Sequence, residues 1–405
     1  MVLLLLLTAS LASGENWPAW RGADGLGISR EKSVPSGWSR TENVRWRFEL
    51  PEPGNSTPIV WGDSIFLTQP RAQKGLRSVM CIDRRTGKLR WEASLEWHQP
   101  EPTHKTNPFA SASPATDGER VIAWFGSAGV IAFDMQGKRL WHRDLGIQRH
   151  TWGYASTPVI YREWVYLHFG PGDRNFLIAL DKRTGKTVWQ VDIPAGEGVK
   201  FSNWEPKDMY GSWSTPLVHN GKLIVTHPHK VTEYDPATGK AMWSTDGLGD
   251  LVYPSPIIGE GVLIAASGFG GPSMGLTVTG EKLWRLEKSK PQIGSGVIHD
   301  GHLYVIDIQG IAHCLKLRTG ETVWSQRLNA GSEDNGVWSS PVFHNGRILV
   351  MNKSGQTFVY QARPQFELLG VHSLNEPSNS SVVISGGEIF LRTHQALWCI
   401  SERHN

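Results

Sequence analysis

The 405-residue chain is poor in charge, in cysteine and in long apolar runs. Asp, Glu, Lys and Arg make up only 20% of it, and 41 basic against 38 acidic residues leave a formal net charge of +3. So balanced a surface lacks the basic footprint of a nucleic-acid binder. Past the first dozen residues no apolar stretch approaches the roughly 18 residues of a membrane-spanning helix, and no heptad pattern marks a coiled coil. HExxH, GxSxG, a phosphate-binding loop and an EF-hand loop are all missing, so these motif-borne chemistries have no support. Three cysteines, Cys81, Cys314 and Cys399, cannot all pair. Each fills a frame (Cys81-Ile82-Asp83, for example) in which other copies hold Ala132 or Ala179. The thiol therefore reads as a small buried residue and not as a ligand or nucleophile.

What is abundant is tryptophan, at 19, with 44 glycines and 24 prolines. Many turns and few helix signals point to an all-β chain. At the start, the apolar run Val2 to Leu7 is followed by small residues up to Gly14. This fits an export leader over residues 1–14, although no Lys or Arg precedes the run, and it is too short to cross a bilayer. The chain is therefore expected to be periplasmic or otherwise exported, with no transmembrane segment once mature. Residues 15–42 read as an extended arm whose aromatics pack on the main domain, residues 43–405.

That domain is a repeat. Its clearest copy is Asp181-Lys182-Arg183-Thr184-Gly185-Lys186-Thr187-Val188-Trp189. Near copies run from Asp83 to Trp91 and from Asp235 to Trp243, looser ones end at Trp284 and Trp324, and Asp134 to Trp141 is one residue shorter. The unit is a β-hairpin: Asp accepts a turn hydrogen bond, Gly supplies a positive φ, and the next strand carries Trp to an apolar site. One small unit cannot bury so large a ring, so each indole is expected to dock on its neighbour. Trp46, Trp91, Trp141, Trp189, Trp243, Trp284 and Trp324 are 40 to 54 residues apart, close to the period of a four-stranded propeller blade.

A second signature, two small residues and a proline, opens each unit. It appears as Ser56-Thr57-Pro58, Ala112-Ser113-Pro114, Ser156-Thr157-Pro158, Ser214-Thr215-Pro216, Pro254-Ser255-Pro256 and Ser339-Ser340-Pro341. Gly294-Ser295-Gly296 and Ser380-Ser381-Val382 are degenerate forms, making eight openings. The first Trp strand precedes the first opening, whereas the last opening has no Trp strand after it. Val44 to Leu50 must then complete the final blade, which gives an all-β, eight-bladed propeller closed by its two chain ends. The seventh unit departs from the pattern, since Phe358 to Leu369 lacks both the Thr-Gly turn and the Trp.

The Ala-x-Asp-x-x-Thr-Gly-Lys-x-x-Trp pattern resembles the tryptophan-docking motif of pyrroloquinoline quinone (PQQ) repeat propellers, a group that includes quinoprotein alcohol dehydrogenases and non-catalytic, BamB-like outer-membrane assembly factors. The lead-in Trp17-Pro18-Ala19-Trp20-Arg21-Gly22, continuing to Gly37-Trp38-Ser39, looks like that of exported BamB-like members. The motif is architectural, so the resemblance implies a fold and not a cofactor. The dehydrogenases are known for a disulfide between adjacent cysteines, a calcium held by acidic and amide side chains, and a catalytic Asp. This chain has no adjacent cysteine pair, and Asp83, Asp134, Asp181 and Asp235 are turn residues. The resemblance thus implies a non-enzymatic, monomeric, exported propeller that binds a protein or peptide partner in the cell envelope, with no catalytic residue, metal or cofactor. One alternative is a PQQ- and calcium-dependent alcohol or sugar dehydrogenase in which Trp213 or Trp338 stacks on the quinone. Another is a carbohydrate-binding propeller.

The residue before each opening triplet falls at the start of an inner strand, near the mouth of the central channel. Around the ring these are Asn55, Ser111, Ala155, Trp213, Tyr253, Ile293, Trp338 and Asn379. Three large aromatics and two amides make a partly apolar mouth with a few polar anchors, a composition suited either to a binding site or to a plug. Long aromatic loops over residues 96–109, 149–154 and 195–213 lead into it, and Trp152 and Tyr154 join the binding candidates. The loop from Trp204 to Asp208 offers carboxylates but no fixed further ligands. His227-Pro228-His229 reads as a solvated turn, because no third ligand stands near it. Gly268-Phe269-Gly270-Gly271 reads as a flexible hairpin tip.

Overall fold

The computed structural model describes residues 14–194, 196–198, 204–288, 290–331 and 334–402; the expected leader lies outside them apart from Gly14. Eight antiparallel sheets follow one another around a central axis. Blade 1 comprises Ile59–Trp61, Ser64–Arg71, Leu76–Asp83 and Leu89–Glu96, from the axis outward, and blades 2 to 7 repeat that order. In blade 8, Val383–Ser385, Glu388–Arg392 and Ala396–Ile400 are completed by Val44–Glu49 from the other end of the chain. Trp46 stands opposite Cys399 in that pairing, so the ring closes as the order of the two signatures requires. Cys81, Cys314 and Cys399 are free and buried, and each faces a docking Trp across its strand pair.

The indoles hold the blades together. Trp46 donates its N–H to the carbonyl of Arg84 at 2.7 Å, Trp141 to Lys182 at 2.9 Å, Trp189 to Pro236 at 2.9 Å and Trp284 to Leu317 at 2.8 Å. Each acceptor lies three residues before the turn glycine of the next blade, and the ring lies over that glycine. At Gly185 the backbone has φ +70°, and a Cβ would sit 2.6 Å from the Trp141 ring, so conformation and space both demand glycine there. Trp243 is an exception: it donates to the Glu233 carboxylate of its own blade at 2.9 Å, while its ring still covers Gly280.

Blade 7 has no docking Trp. Gly370 stands opposite Val359, the place that Trp91 holds opposite Cys81 in blade 1. Trp38 of the arm fills in. It is buried, lies 4.2 Å from the His372 ring, and belongs to the apolar cluster that joins blades 7 and 8.

The rest of the arm crosses one end of the channel. Trp17 exchanges main-chain hydrogen bonds with Val60 of blade 1, and Pro18 accepts from Thr116 of blade 2. The fully buried Arg21 guanidinium donates to the carbonyls of Leu26, Ser295 and Gly296 at 2.8, 3.1 and 2.6 Å. Ile28–Ser29 then adds a parallel strand to blade 7.

Truncating one docking indole, Trp141→Ala, should cost about 3–5 kcal/mol in urea unfolding. Gly185→Ala should cost more than Gly301→Ala, which shares φ +70° but has nothing within 4 Å of its Cβ. The backbone cost common to both is about 1–2 kcal/mol, and the excess at Gly185, about 1–3 kcal/mol, measures the ring contact. Equal losses at the two glycines would show that the indoles do not couple the blades.

Candidate functional site

The eight residues that precede the opening triplets converge on one cavity of about 180 Å³ on the channel axis. They share its wall with Thr106, Asn107, Trp152 and Phe269 from the loops, and with Trp20 from the arm. The loop residues form the mouth. Trp20 comes from the arm, whose neighbouring residues are bonded to Val60 and Thr116 of the inner strands and to Ser295 and Gly296 of an opening triplet.

The wall is braced by a feature the sequence carried in plain view: the second residue of all eight triplets is Ser or Thr. At seven of the eight junctions the main-chain N–H at that position donates to the hydroxyl at the same position in the next blade; between Ser113 and Thr157 there is no such bond. The contacts are Thr57 to Ser113 (2.8 Å), Thr157 to Thr215 (3.0 Å), Thr215 to Ser255 (2.8 Å) and Ser255 to Ser295 (2.9 Å). The series continues from Ser295 to Ser340 (2.9 Å), Ser340 to Ser381 (2.9 Å) and Ser381 back to Thr57 (3.2 Å). This girdle satisfies buried N–H groups that no β-ladder between adjacent blades reaches. Small side chains are needed because the strands crowd together at the axis.

Above the girdle the rings are ordered. Trp213 and Tyr253 stack at 4.6 Å and 23°, and the Trp213 N–H donates to the carbonyl of Gly153 at 2.9 Å. Phe269 meets the Tyr253 ring edge-on at 5.5 Å. Trp152 meets Trp204 at 4.5 Å and His104 at 4.7 Å, with the ring planes tilted by 41° and 48°. Asn379 donates to Asn55, and Asn55 to the carbonyl of Thr106. Asn107 ties down the carbonyls of Trp152 and Tyr154. Of the sequence candidates, Asn55, Trp152, Trp213, Tyr253, Trp338 and Asn379 share this cavity. Tyr154 does not. It is buried against Trp124 at 4.7 Å, where its hydroxyl accepts from the N–H of Ala110, and burial drives its pKa up. Trp20, Asn107 and Phe269 were missed, and only the doubled Trp of the arm hinted at one of them.

The His227-Pro228-His229 reading needs correction. His227 is not solvated: it is buried and shares a hydrogen bond of 3.0 Å with the Tyr234 hydroxyl. His229, in the turn beyond the strand, is exposed and lies 3.2 Å from Asp250, so the two rings do not converge. The partner that faces His227 is His168, 5.4 Å away and equally buried. Asp208 accepts from the Thr151 hydroxyl at 2.6 Å. Among the described residues no group of three or more His, Cys, Asp or Glu could hold a metal ion.

Among the described residues no acidic or basic side chain lines the cavity. A quinone bearing three carboxylates, held with a divalent cation, needs cationic and carboxylate partners, so the residues present do not fit that group.

Indoles docked on turn glycines, a ring closed by the chain ends and a site on the axis define the PQQ-repeat class of eight-bladed propellers. The chain belongs to the family whose model, described as "Outer membrane protein assembly factor BamB", matches residues 37–172 and 173–404. It is 23% identical over 372 residues to a polyvinylalcohol dehydrogenase of Pseudomonas sp., covering 81% of this chain but only 53% of that protein. It is 25% identical to the outer membrane protein assembly factor BamB of Yersinia pestis, over 74% of this chain and 72% of that one. The chain spans about half the length of the dehydrogenases it matches, 53% and 41%. Two solved structures show the same fold: BamB from Moraxella catarrhalis and a quinohemoprotein alcohol dehydrogenase from Comamonas testosteroni. The BamB structure gives a TM-score of 0.63 at 15% identity, covering 89% of this chain and 98% of that one. The dehydrogenase gives 0.71 at 13%, covering 95% and 80%.

The buried histidines set an acid limit. Burial pulls His168 from the ordinary 6.5 down to about 4, and its Nε2 lies 2.9 Å from Asn175 Oδ1. The unfolded chain binds the extra proton between those values, so stability rises with pH there and is lost as pH falls from 6.5 towards 4. This one group accounts for about 3 kcal/mol. Urea midpoints taken across that range should shift steeply in the native chain and less in His168→Gln; equal slopes would contradict the assignment.

Proposed function

We propose that the chain is a non-catalytic binding propeller of the cell envelope, which holds a protein or peptide partner against the loop face around the channel mouth. The observation that carries this is Phe269. It sits at a hairpin tip at φ +47°, a conformation that L residues rarely adopt, and its ring is 49% exposed. No core contact requires a large aromatic there, and held strain of this kind marks functional sites. Trp152, Trp204 and His104, in tilted and edge-on contact with one another in the adjoining loops, extend the same half-exposed aromatic surface. Aromatic surface ringed by polar loops suits a protein interface, and loop contact or addition of a strand are the modes available.

Kinship with BamB supports this reading, because those relatives are named as outer-membrane assembly factors. An envelope location and a cleaved leader belong to the same proposal. Among the described residues no helix is long and apolar enough to cross a membrane. The dehydrogenase reading is disfavoured by the uncharged cavity wall.

Two measurements test the proposal. A photoreactive side chain in place of Phe269 should capture one discrete protein in native envelopes, while the same probe at Leu140 on the outer rim should not. Recovery of no partner from position 269, or the same products from both positions, would count against a docking face. Equilibrium titration with PQQ and calcium should give no saturable binding; binding together with dye reduction by an alcohol would overturn the non-catalytic reading.

A further inference from the structure

The cavity beneath that face carries a separate inference, which uses observations the partner reading leaves aside. A hydroxyl has one proton and two acceptor sites. Every girdle oxygen except that of Thr157 spends one acceptor site on the N–H of the neighbouring blade. Ser113, Ser340 and Ser381 take that bond and no other, so each keeps its proton and an acceptor site. All three line the cavity. Nearer the mouth, Asn107 spends both amide protons and Asn379 one of its two on neighbours, and the amide oxygen of each accepts no hydrogen bond. The polar part of the wall can therefore both donate and accept hydrogen bonds, and among the described residues it carries no charged side chain. The upper wall is the Trp213–Tyr253 stack with Trp338 and Trp152.

Few ligands satisfy both zones. An aliphatic or aromatic side chain would cover the rings but strand the hydroxyl girdle without partners. An anion or cation would find no counter-charge among the described lining residues. A sugar ring has a C–H face for the indoles and an edge of hydroxyls that donate and accept. At about 180 Å³ the cavity is below the roughly 300–1,000 Å³ of most small-molecule sites, which suits one ring. We propose that the channel cavity is a binding site for a single uncharged sugar ring, stacked on the mouth aromatics and hydrogen-bonded by the girdle.

The test uses the full chain alone, so its outcome is independent of any envelope partner. Tryptophan fluorescence and ligand-observed NMR would follow titrations with glucose, galactose and N-acetylglucosamine. Glucuronate serves as the charged counterpart and p-cresol as an apolar ring. At least one neutral sugar should bind saturably, with glucuronate about tenfold weaker or worse. Methyl glycosides set against free sugars distinguish a chain-terminal residue from a monosaccharide; binding of either supports the proposal. Trp338→Ala, at the partly exposed mouth, should weaken binding about tenfold. Saturation by no neutral sugar, a preference for glucuronate or p-cresol, or unchanged affinity in the folded Trp338→Ala protein would overturn it. The probe comparison on the unmodified chain decides the matter even if that variant misfolds.

Discussion

No blade of this protein can bury its own outermost tryptophan, and that constraint governs the molecule. A buried indole removes roughly 150–250 Å² from water, worth about 4 to 6 kcal/mol as an upper bound. That gain is realised only when a second blade offers a glycine flat enough to receive the ring and a carbonyl to take its N–H. Stability is therefore lodged at the junctions and not within the sheets. An open array would leave its last indole and its first strand unsatisfied. Val44–Glu49, drawn from the far end of the chain into blade 8, removes both defects at once, and Trp46 then docks on blade 1 like any other.

The arm follows from the same rule. Where blade 7 offers Gly370 in place of the indole, the junction with blade 8 would be underfilled, and Trp38 occupies it. The segment that delivers Trp38 has first to cross the channel. In crossing, it places Trp20 against the axial cavity and buries Arg21 with three carbonyls and no carboxylate in contact. Burial lowers that guanidinium to about 9, so it remains charged at neutral pH. A buried cation held by three carbonyls and lying 5.7 Å from the centre of the Trp20 ring fixes one geometry, because displacement would strand it. A repair at one seam thus also shapes the floor of the cavity.

The architecture was legible because it repeats. The Thr-Gly-Lys turn, the spacing of the indoles and the order of the two signatures specified blade number and closure, as the pairing of Trp46 with Cys399 bears out. Ring position was legible for the same reason: Asn55 and Asn379 are 324 residues apart, yet periodicity alone makes them neighbours. What the sequence hid lies in unrepeated segments. Tyr154 follows Trp152 by two residues, and only the path of the 149–154 loop turns one ring to the cavity and the other into the core. His227 and His229 flank a turn that sends their side chains apart, while the true partner, His168, sits in another blade. Phe269 in a glycine-rich tip carries no sequence mark distinguishing a presented ring from an incidental one. The girdle is carried by the Ser or Thr at the second place of every triplet, where the size of the side chain and its hydroxyl are both required.

The division between repeated and unrepeated parts also explains how one fold serves both redox and non-redox relatives. Docking indoles, turn glycines and girdle hydroxyls are committed to holding the ring and leave little freedom for new chemistry. The residue ahead of each triplet lies outside the docking contacts and the girdle, although Asn55, Trp213, Tyr253 and Asn379 touch one another across blades. Eight such positions around one axis form a site whose character can vary while the repeat stays the same. Charged residues there would suit a charged cofactor. Asn, Ser, Ala, Ile and three aromatics, as in this chain, make a neutral, ring-lined chamber. The function of such a propeller is therefore written in those eight positions and in the loops above them, and far less in the repeat by which its family is known.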